Sequence, residues 1–210
     1  MLKCTFSTLG EAWVYILQLI THSGEIIHDD DTRLKEVCDL SLILNDVSVD
    51  EIISKYADKK RMELMYKKYS TCGLVGDYKI DYGSYIFKNN GVNQIEWVIN
   101  RLKNKRDTKS ATIGLHKAGE NQLSCLSLLD FKIRNGQLKM GAIYRSQNAY
   151  ASFPGNMLAL RKIQADVANE LNIPVGAIRL FAFSAHIYEP DWVAVNNLLS
   201  DKGLHLQTTF

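Results

Sequence analysis

Three short pieces of this chain carry side chains able to do covalent chemistry or to hold an anion. Cys125 stands just before an apolar run that turns at Asn135-Gly136 and returns to end in Arg145-Ser146. An Asn-Gly pair between two such runs signals a tight hairpin, which brings the sulfur and the guanidinium near each other. A thiolate is a strong nucleophile, and a guanidinium offers it charge compensation and a fork of donors suited to phosphate or carboxylate. The third piece is "LFAFSAHIYEPDW". Side chains alternate along a strand, so Ser184, His186 and Tyr188 share one face, while Phe181, Phe183, Ala185 and Ile187 share the other. Each signal has a plainer alternative. Cys125 alone reads as a packed thiol, Arg145 as a structural strand-end arginine, and His186 with Tyr188 as the wet face of a surface strand.

Groups so far apart in sequence need a core to hold them, and 210 residues are enough to build one. Apolar residues make up 46% and charged residues 23%, the balance of a soluble globular protein. A net charge of +2, with both signs interspersed, argues against nucleic acid as a partner. No apolar run approaches the roughly 18 residues of a membrane span, and the N-terminus carries Glu11 and lacks a signal-peptide cleavage site. Cys4, Cys38, Cys72 and Cys125 show no ligand spacing. Reduced thiols in a cytoplasmic protein without a metal are therefore expected.

Periodicity predicts a first helix over 10–22, built on Trp13, Ile16, Leu17 and Ile20 and ended by Gly24. A strand follows around 36–44, then one or two charged helices within 49–70 and a helix over 92–104. Strands are expected near 110–116, 126–134 and 137–145. A long helix over 155–171, a strand over 177–188 and a last helix from about Asp191 and Trp192 complete the chain. Pro154, Pro174 and Pro190 fall where helices begin or connections turn. Strands and helices are segregated, so the class is α+β: one domain over 1–210 with a single mixed sheet covered by helices.

Taken together, Cys…Arg-Ser…Pro-x-Asn…His-x-Tyr in "SCLSLLDFKIRNGQLKMGAIYRSQNAYASFPGN" and "SAHIYEPDW" resembles the thymidylate synthase superfamily. That superfamily includes pyrimidine hydroxymethylases, and the wording is closest to its short archaeal-type members. The motif set covers roughly 110–192. Upstream, Tyr82-Gly83 resembles the family's Tyr-Gly motif and "RMELMY" its glutamate-bearing helix. The resemblance implies a homodimer with sheets packed back to back, Phe131, Ile133 and the apolar hairpin surface supplying the interface. It also implies chemistry on a pyrimidine nucleotide. A Cys125 thiolate adds at carbon 6 of a uracil nucleotide such as dUMP, and carbon 5 then takes up a one-carbon unit as methyl or hydroxymethyl.

In that frame Arg145 serves the thiolate and the phosphate, Ser146 adds a phosphate contact, and His186 and Tyr188 hold the sugar hydroxyl. Asn156 reads the base: an amide matches uracil N3–H and O4 together, whereas a carboxylate suits the amino group of cytosine. A helix cap is the alternative for Asn156. Glu63 corresponds to the ring-activating glutamate, with Glu51, Glu36 or an ordinary charged helix face as alternatives, and Tyr82 joins the catalytic set. Arg33 corresponds to an N-terminal phosphate arginine. Lys109 and Arg106 stand in for two arginines that reach over from the partner subunit, since the family's "TRRA" is here "TKSA".

The pattern breaks mainly on the side of the carbon donor, a reduced folate or other tetrahydropterin. The family's pterin-holding Asp is Asn148, the His after the nucleophile is Leu126, and the Gln before Arg-Ser is Tyr144. The sequence runs only about twenty residues past Tyr188, so the domain is expected to lack the family's C-terminal closing segment. A second reading follows: a nucleotide-binding relative that acts by binding or assembly.

Overall fold

The computed structural model describes residues 4–29, 31–76, 80–117, 119, 121–201 and 204. The stretch expected to stop short of a closing segment lies largely outside these residues.

Thr8 starts the first helix. Its hydroxyl accepts from the Glu11 N–H, and the Glu11 carboxylate accepts from the Thr8 N–H, both at 3.2 Å. A cap of this kind is worth about 1 kcal/mol. Helix α1 (Leu9–Ser23) buries Trp13, Ile16, Leu17 and Ile20 and is capped by Gly24, as the periodicity predicts. Before it lies β1 (Cys4–Phe6), and after it β2 (Glu25–Asp29) pairs antiparallel with β3 (Thr32–Leu44). Both β1 and β2 escape the pattern, β1 by its length and β2 by its exposure on both faces. The charged stretch is two helices, α2 (Glu51–Tyr56) and α3 (Lys59–Ser70), because the Asp58 carboxylate accepts from the Lys60 and Arg61 N–H groups and restarts the helix.

Two further helices follow, α4 (Tyr82–Phe87) and α5 (Gln94–Asn104), the second capped by Asn93. The next strands are β4 (Thr112–Gly114), β5 (Leu126–Arg134) and β6 (Gln137–Asn148). Asn135 and Gly136 both take positive φ, 54° and 74°, giving the two-residue hairpin that the Asn-Gly pair signals. Then come α6 (Phe153–Glu170), β7 (Val175–Tyr188), a 3-10 turn at Glu189–Asp191 and α7 (Trp192–Leu199).

Among the described residues, seven strands form one mixed sheet in the order β1-β3-β7-β6-β5-β4, with β2 beside β3. Only β1–β3 and β6–β7 run parallel. The class is α+β, as expected. One sheet face is the core: Leu129, Phe131 and Ile133 of β5 meet Met140 and Ala142 of β6 and Leu180 of β7, all buried. Phe131 and Ile133 therefore do not supply an intersubunit surface. Alternation along β5 spends them on the chain's own core and turns Asp130 and Lys132 to the other side. That other face shows Ile143, Phe181 and Phe183, the last 55% exposed. Among the described residues, no helix is long and apolar enough to cross a membrane.

Candidate active site

The ladder between β5 and β6 does what the hairpin motif implies. Leu126 pairs with Tyr144, and the Arg145 N–H donates to the Cys125 carbonyl at 2.8 Å. The sulfur is thus held against Arg145-Ser146. The parallel register of β6 and β7 then sets Ser146 beside Ser184 and Asn148 beside His186. A cavity of about 460 Å³ opens at this junction, within the size range of ligand sites. The sheet side contributes Cys125, Ser146, Gln147, Asn148, His186 and Tyr188; Asn156 of α6, Tyr82 of α4 and Arg61, Met65 and Lys68 of α3 close it. A second cavity of about 490 Å³, around Cys4, Tyr15 and Cys38, holds none of the candidate residues.

Around the sulfur, the Ser146 hydroxyl donates to Sγ at 3.4 Å. The buried Tyr82 phenol lines the same cavity as the thiol. Burial holds this phenol well above the usual tyrosine range, as it does those of Tyr69 and Tyr144, whose hydroxyls meet at 2.5 Å. Tyr144, standing where the family has Gln, belongs to this buried phenol cluster.

Arg145 is placed differently from expectation. Its Nη2 lies 4.0 Å from Sγ but donates at 2.9 Å to the Leu123 carbonyl, and Nε donates at 3.2 Å to the Ser124 carbonyl. The guanidinium therefore clamps the loop that carries Cys125. It is exposed and does not line the cavity.

Sequence reasoning missed a second cation. Lys68 is only 7% exposed and lines the cavity, with Nζ 4.3 Å from the centroid of the Tyr82 ring. Burial lowers its pKa, while Cys125 and Asp81 pull it back up. The signal was available: Lys68 follows the buried Met65 at i+3, a polar residue in the apolar stripe of α3.

The base-reading candidate is sharply defined. The Asn156 N–H donates to the Ser152 carbonyl, so the residue lies inside α6 and is not its cap. Its side chain is buried. Nδ2 donates to Gln147 Oε1 at 3.2 Å, and Oδ1 has no hydrogen-bond partner among the described residues. His186 is buried as well, contrary to a wet-face reading. Burial lowers its pKa, Glu36 and Asp29 oppose this, and Arg145 adds to it. The imidazole is thus held neutral, with Nδ1 3.4 Å from Ser184 Oγ.

Residues 43–208 match the family model described as Thymidylate synthase. The chain belongs to the thymidylate synthase family. A protein of Methanosarcina mazei named "Putative thymidylate synthase" is 30% identical over 204 residues, covering 94% of this chain and 93% of the relative. A protein of the same name in Methanothermobacter thermautotrophicus is 30% identical over 206 residues, covering 86% and 90%. In Methanocaldococcus jannaschii the corresponding figures are 23% over 195 residues, with 86% and 88% covered.

Other residues assigned through the family pattern stand outside the cavity. Glu63 is exposed: the cavity stripe of α3 runs Arg61, Met65, Lys68, and Glu63 lies on the opposite side of the helix. Of its alternatives, Glu51 is an exposed first-turn residue of α2, while Glu36 pairs with His186 across the β3–β7 ladder. Arg33 makes an ion pair with Glu189 at 3.0 Å and lies 5.5 Å from the Trp192 ring. Arg106 and Lys109 are exposed in the loop between α5 and β4.

Asn148 does line the cavity, its Oδ1 accepting from the Ala151 N–H at 2.9 Å. Beside it, a smaller cavity of about 160 Å³ shares Arg61 and Ala151 with the first. Its wall includes the stacked rings of Trp13 and Tyr150, with centroids 6.0 Å apart. It also includes Asp191, whose pKa is raised by burial and opposed by Arg61.

Proposed function

We propose that this family member transfers a one-carbon unit, as methyl or hydroxymethyl, to carbon 5 of a uracil nucleotide such as dUMP through a Cys125 adduct at carbon 6. The observation that carries this is the unpartnered, buried Oδ1 of Asn156 in the same cavity as the Cys125 sulfur. The Asn156 amide has one acceptor free, and one of its two N–H groups remains after Gln147 is served. One acceptor and one donor side by side are the complement of uracil N3–H and O4.

The residues then divide the work. Lys68 and Arg145 put two positive charges about the sulfur, where they would offset the negative charge of the attacking species. Attack forms the S–C6 bond and breaks the C5=C6 π bond; the electron pair passes into an enolate ending at O4, and carbon 5 becomes nucleophilic. The Asn156 N–H faces the oxygen on which this charge grows. Neutral His186 and Tyr188 serve the sugar hydroxyl, and Ser146 the phosphate. Tyr82 shares the cavity with the sulfur. Arg33, Arg106 and Lys109 remain phosphate candidates only through rearrangement or a partner subunit, and Glu63 has no geometric support.

A reduced folate or other tetrahydropterin, when bound, would supply the carbon at the oxidation level of formaldehyde, sufficient for hydroxymethyl, and for methyl would also give up a hydride and leave as the dihydro form. The residues that could hold such a group are Tyr150 for a flat ring, Arg61 for an anionic tail, and Asn148, which keeps its Nδ2 donors. A homodimer formed through the uncovered sheet face, now by way of Ile143, Phe181 and Phe183, completes the proposal for a cytoplasmic enzyme.

Intact-mass analysis after incubation with 5-fluoro-dUMP, with and without methylene-tetrahydrofolate, tests the chemistry. A covalent adduct that disappears in Cys125→Ser is expected. Tight dUMP binding with no adduct, and no tritium release from carbon 5, would instead make the protein a nucleotide-binding relative.

A further inference from the structure

Gln147 has no role in the family motif; it is the unspecified residue between Arg145-Ser146 and Asn148. Yet it is only 1% exposed and lines the cavity. Its amide has a direction that the backbone imposes. Nε2 lies 2.9 Å from the Asn148 carbonyl oxygen, which can only accept, so the donor end of Gln147 must point there. The Oε1 end is then turned to Asn156 and accepts from Nδ2 at 3.2 Å. In consequence Asn156 keeps Oδ1 as its buried, unpartnered atom.

We propose that Gln147 is a specificity-determining positioning residue: it fixes the direction of the Asn156 amide and so makes the site select uracil over cytosine nucleotides. This rests on the reading of the cavity as a uracil nucleotide site. Uracil offers a donor at N3 and an acceptor at position 4; cytosine offers the reverse. An Asn amide fits either base, depending on which way it is turned. Turned for cytosine, Asn156 would set its oxygen against Gln147 Oε1, leaving two buried acceptors facing each other without a hydrogen. A buried polar group stripped of its partner is the kind of penalty that produces discrimination of roughly tenfold or more.

The test is the ratio of dissociation constants for dUMP and dCMP, measured by titration calorimetry on wild type, Gln147→Met and Gln147→Glu. Wild type should prefer dUMP by about tenfold or more. Gln147→Met keeps the volume but removes the acceptor, so the amide can turn and the preference should fall to about threefold or less. Gln147→Glu also keeps the volume; with its carboxyl protonated toward the Asn148 carbonyl it still accepts from Asn156 Nδ2 and should retain the preference, whereas a role in packing alone would leave the Met and Glu variants alike. A Met variant that binds with an undiminished ratio overturns the inference. Should that variant not fold, the Glu variant decides: loss of the preference there overturns it equally. If wild type binds neither nucleotide, the site reading itself fails and the inference falls with it.

Discussion

Replacing Gly155 by alanine sets two opposing effects against each other at the seam between α3 and α6. Within a helix, alanine is favoured over glycine by about 1 kcal/mol. At this position, however, an added Cβ would lie 2.8 Å from Met65 Cβ, 3.0 Å from Met65 Cγ and 3.1 Å from Met62 Cα. Comfortable carbon contacts are at about 3.5–4.0 Å. Met65 Cβ and Met62 Cα do not rotate away; they move only with the backbone of α3. Overpacking of this kind costs roughly 1–3 kcal/mol, so the clash outweighs the propensity gain by up to about 2 kcal/mol. For a chain of this size the upper figure is a fall in Tm of about 4–8 °C. Function should suffer too, because α3 carries Met65 and Lys68 to the cavity and Asn156 follows Gly155 directly. Thermal denaturation followed by circular dichroism, with dUMP binding measured in parallel, reads both effects. Gly141→Ala is the control, since its nearest neighbour would be at 3.7 Å, an ordinary contact. A Gly155→Ala protein melting at or above the wild-type temperature would refute the packing argument.

Lys68→Met should slow alkylation of Cys125 by iodoacetamide at neutral pH by roughly threefold or more, with Lys68→Arg restoring much of the rate; an unchanged rate would remove Lys68 from the sulfur's surroundings. Burial depresses the His186 pKa below 6.5, so as pH falls through 6.5 the unfolded chain takes up a proton that the folded site resists, and stability drops. The dependence of Tm on pH between 7 and 5 should therefore be shallower in His186→Gln, and an identical slope would count against a buried neutral imidazole. Phe183→Lys puts a charge on the uncovered sheet face and should halve the mass seen by light scattering; a wild type that is already monomeric would sink the dimer proposal.

Much of the site could be read from the sequence because its parts lie on regular elements. The Asn135-Gly136 turn fixes the register of β5 against β6, and that register alone sets Cys125 opposite Arg145-Ser146. Alternation along β7 places Ser184, His186 and Tyr188 on one face. Local rules failed where the deciding contact comes from another element. Glu63 and Lys68 sit on the same charged helix, and which of them reaches the cavity depends on how α3 rotates against α6. Phe131 and Ile133 look like interface residues until the helices are seen to cover their face.

The sequence by itself determined the α+β class, the hairpin, the placing of Cys125 beside Arg145-Ser146 and the family, since each rests on short-range periodicity or on motif order. Only the tertiary structure decided that Arg145 clamps the Cys125 loop, that Lys68 is buried beside Tyr82, and that Gln147 aligns the amide of Asn156. Those are contacts between groups up to 22 positions apart, as with Arg145 and Leu123. Their energy comes from burial and hydrogen-bond direction, which no local pattern of residues encodes.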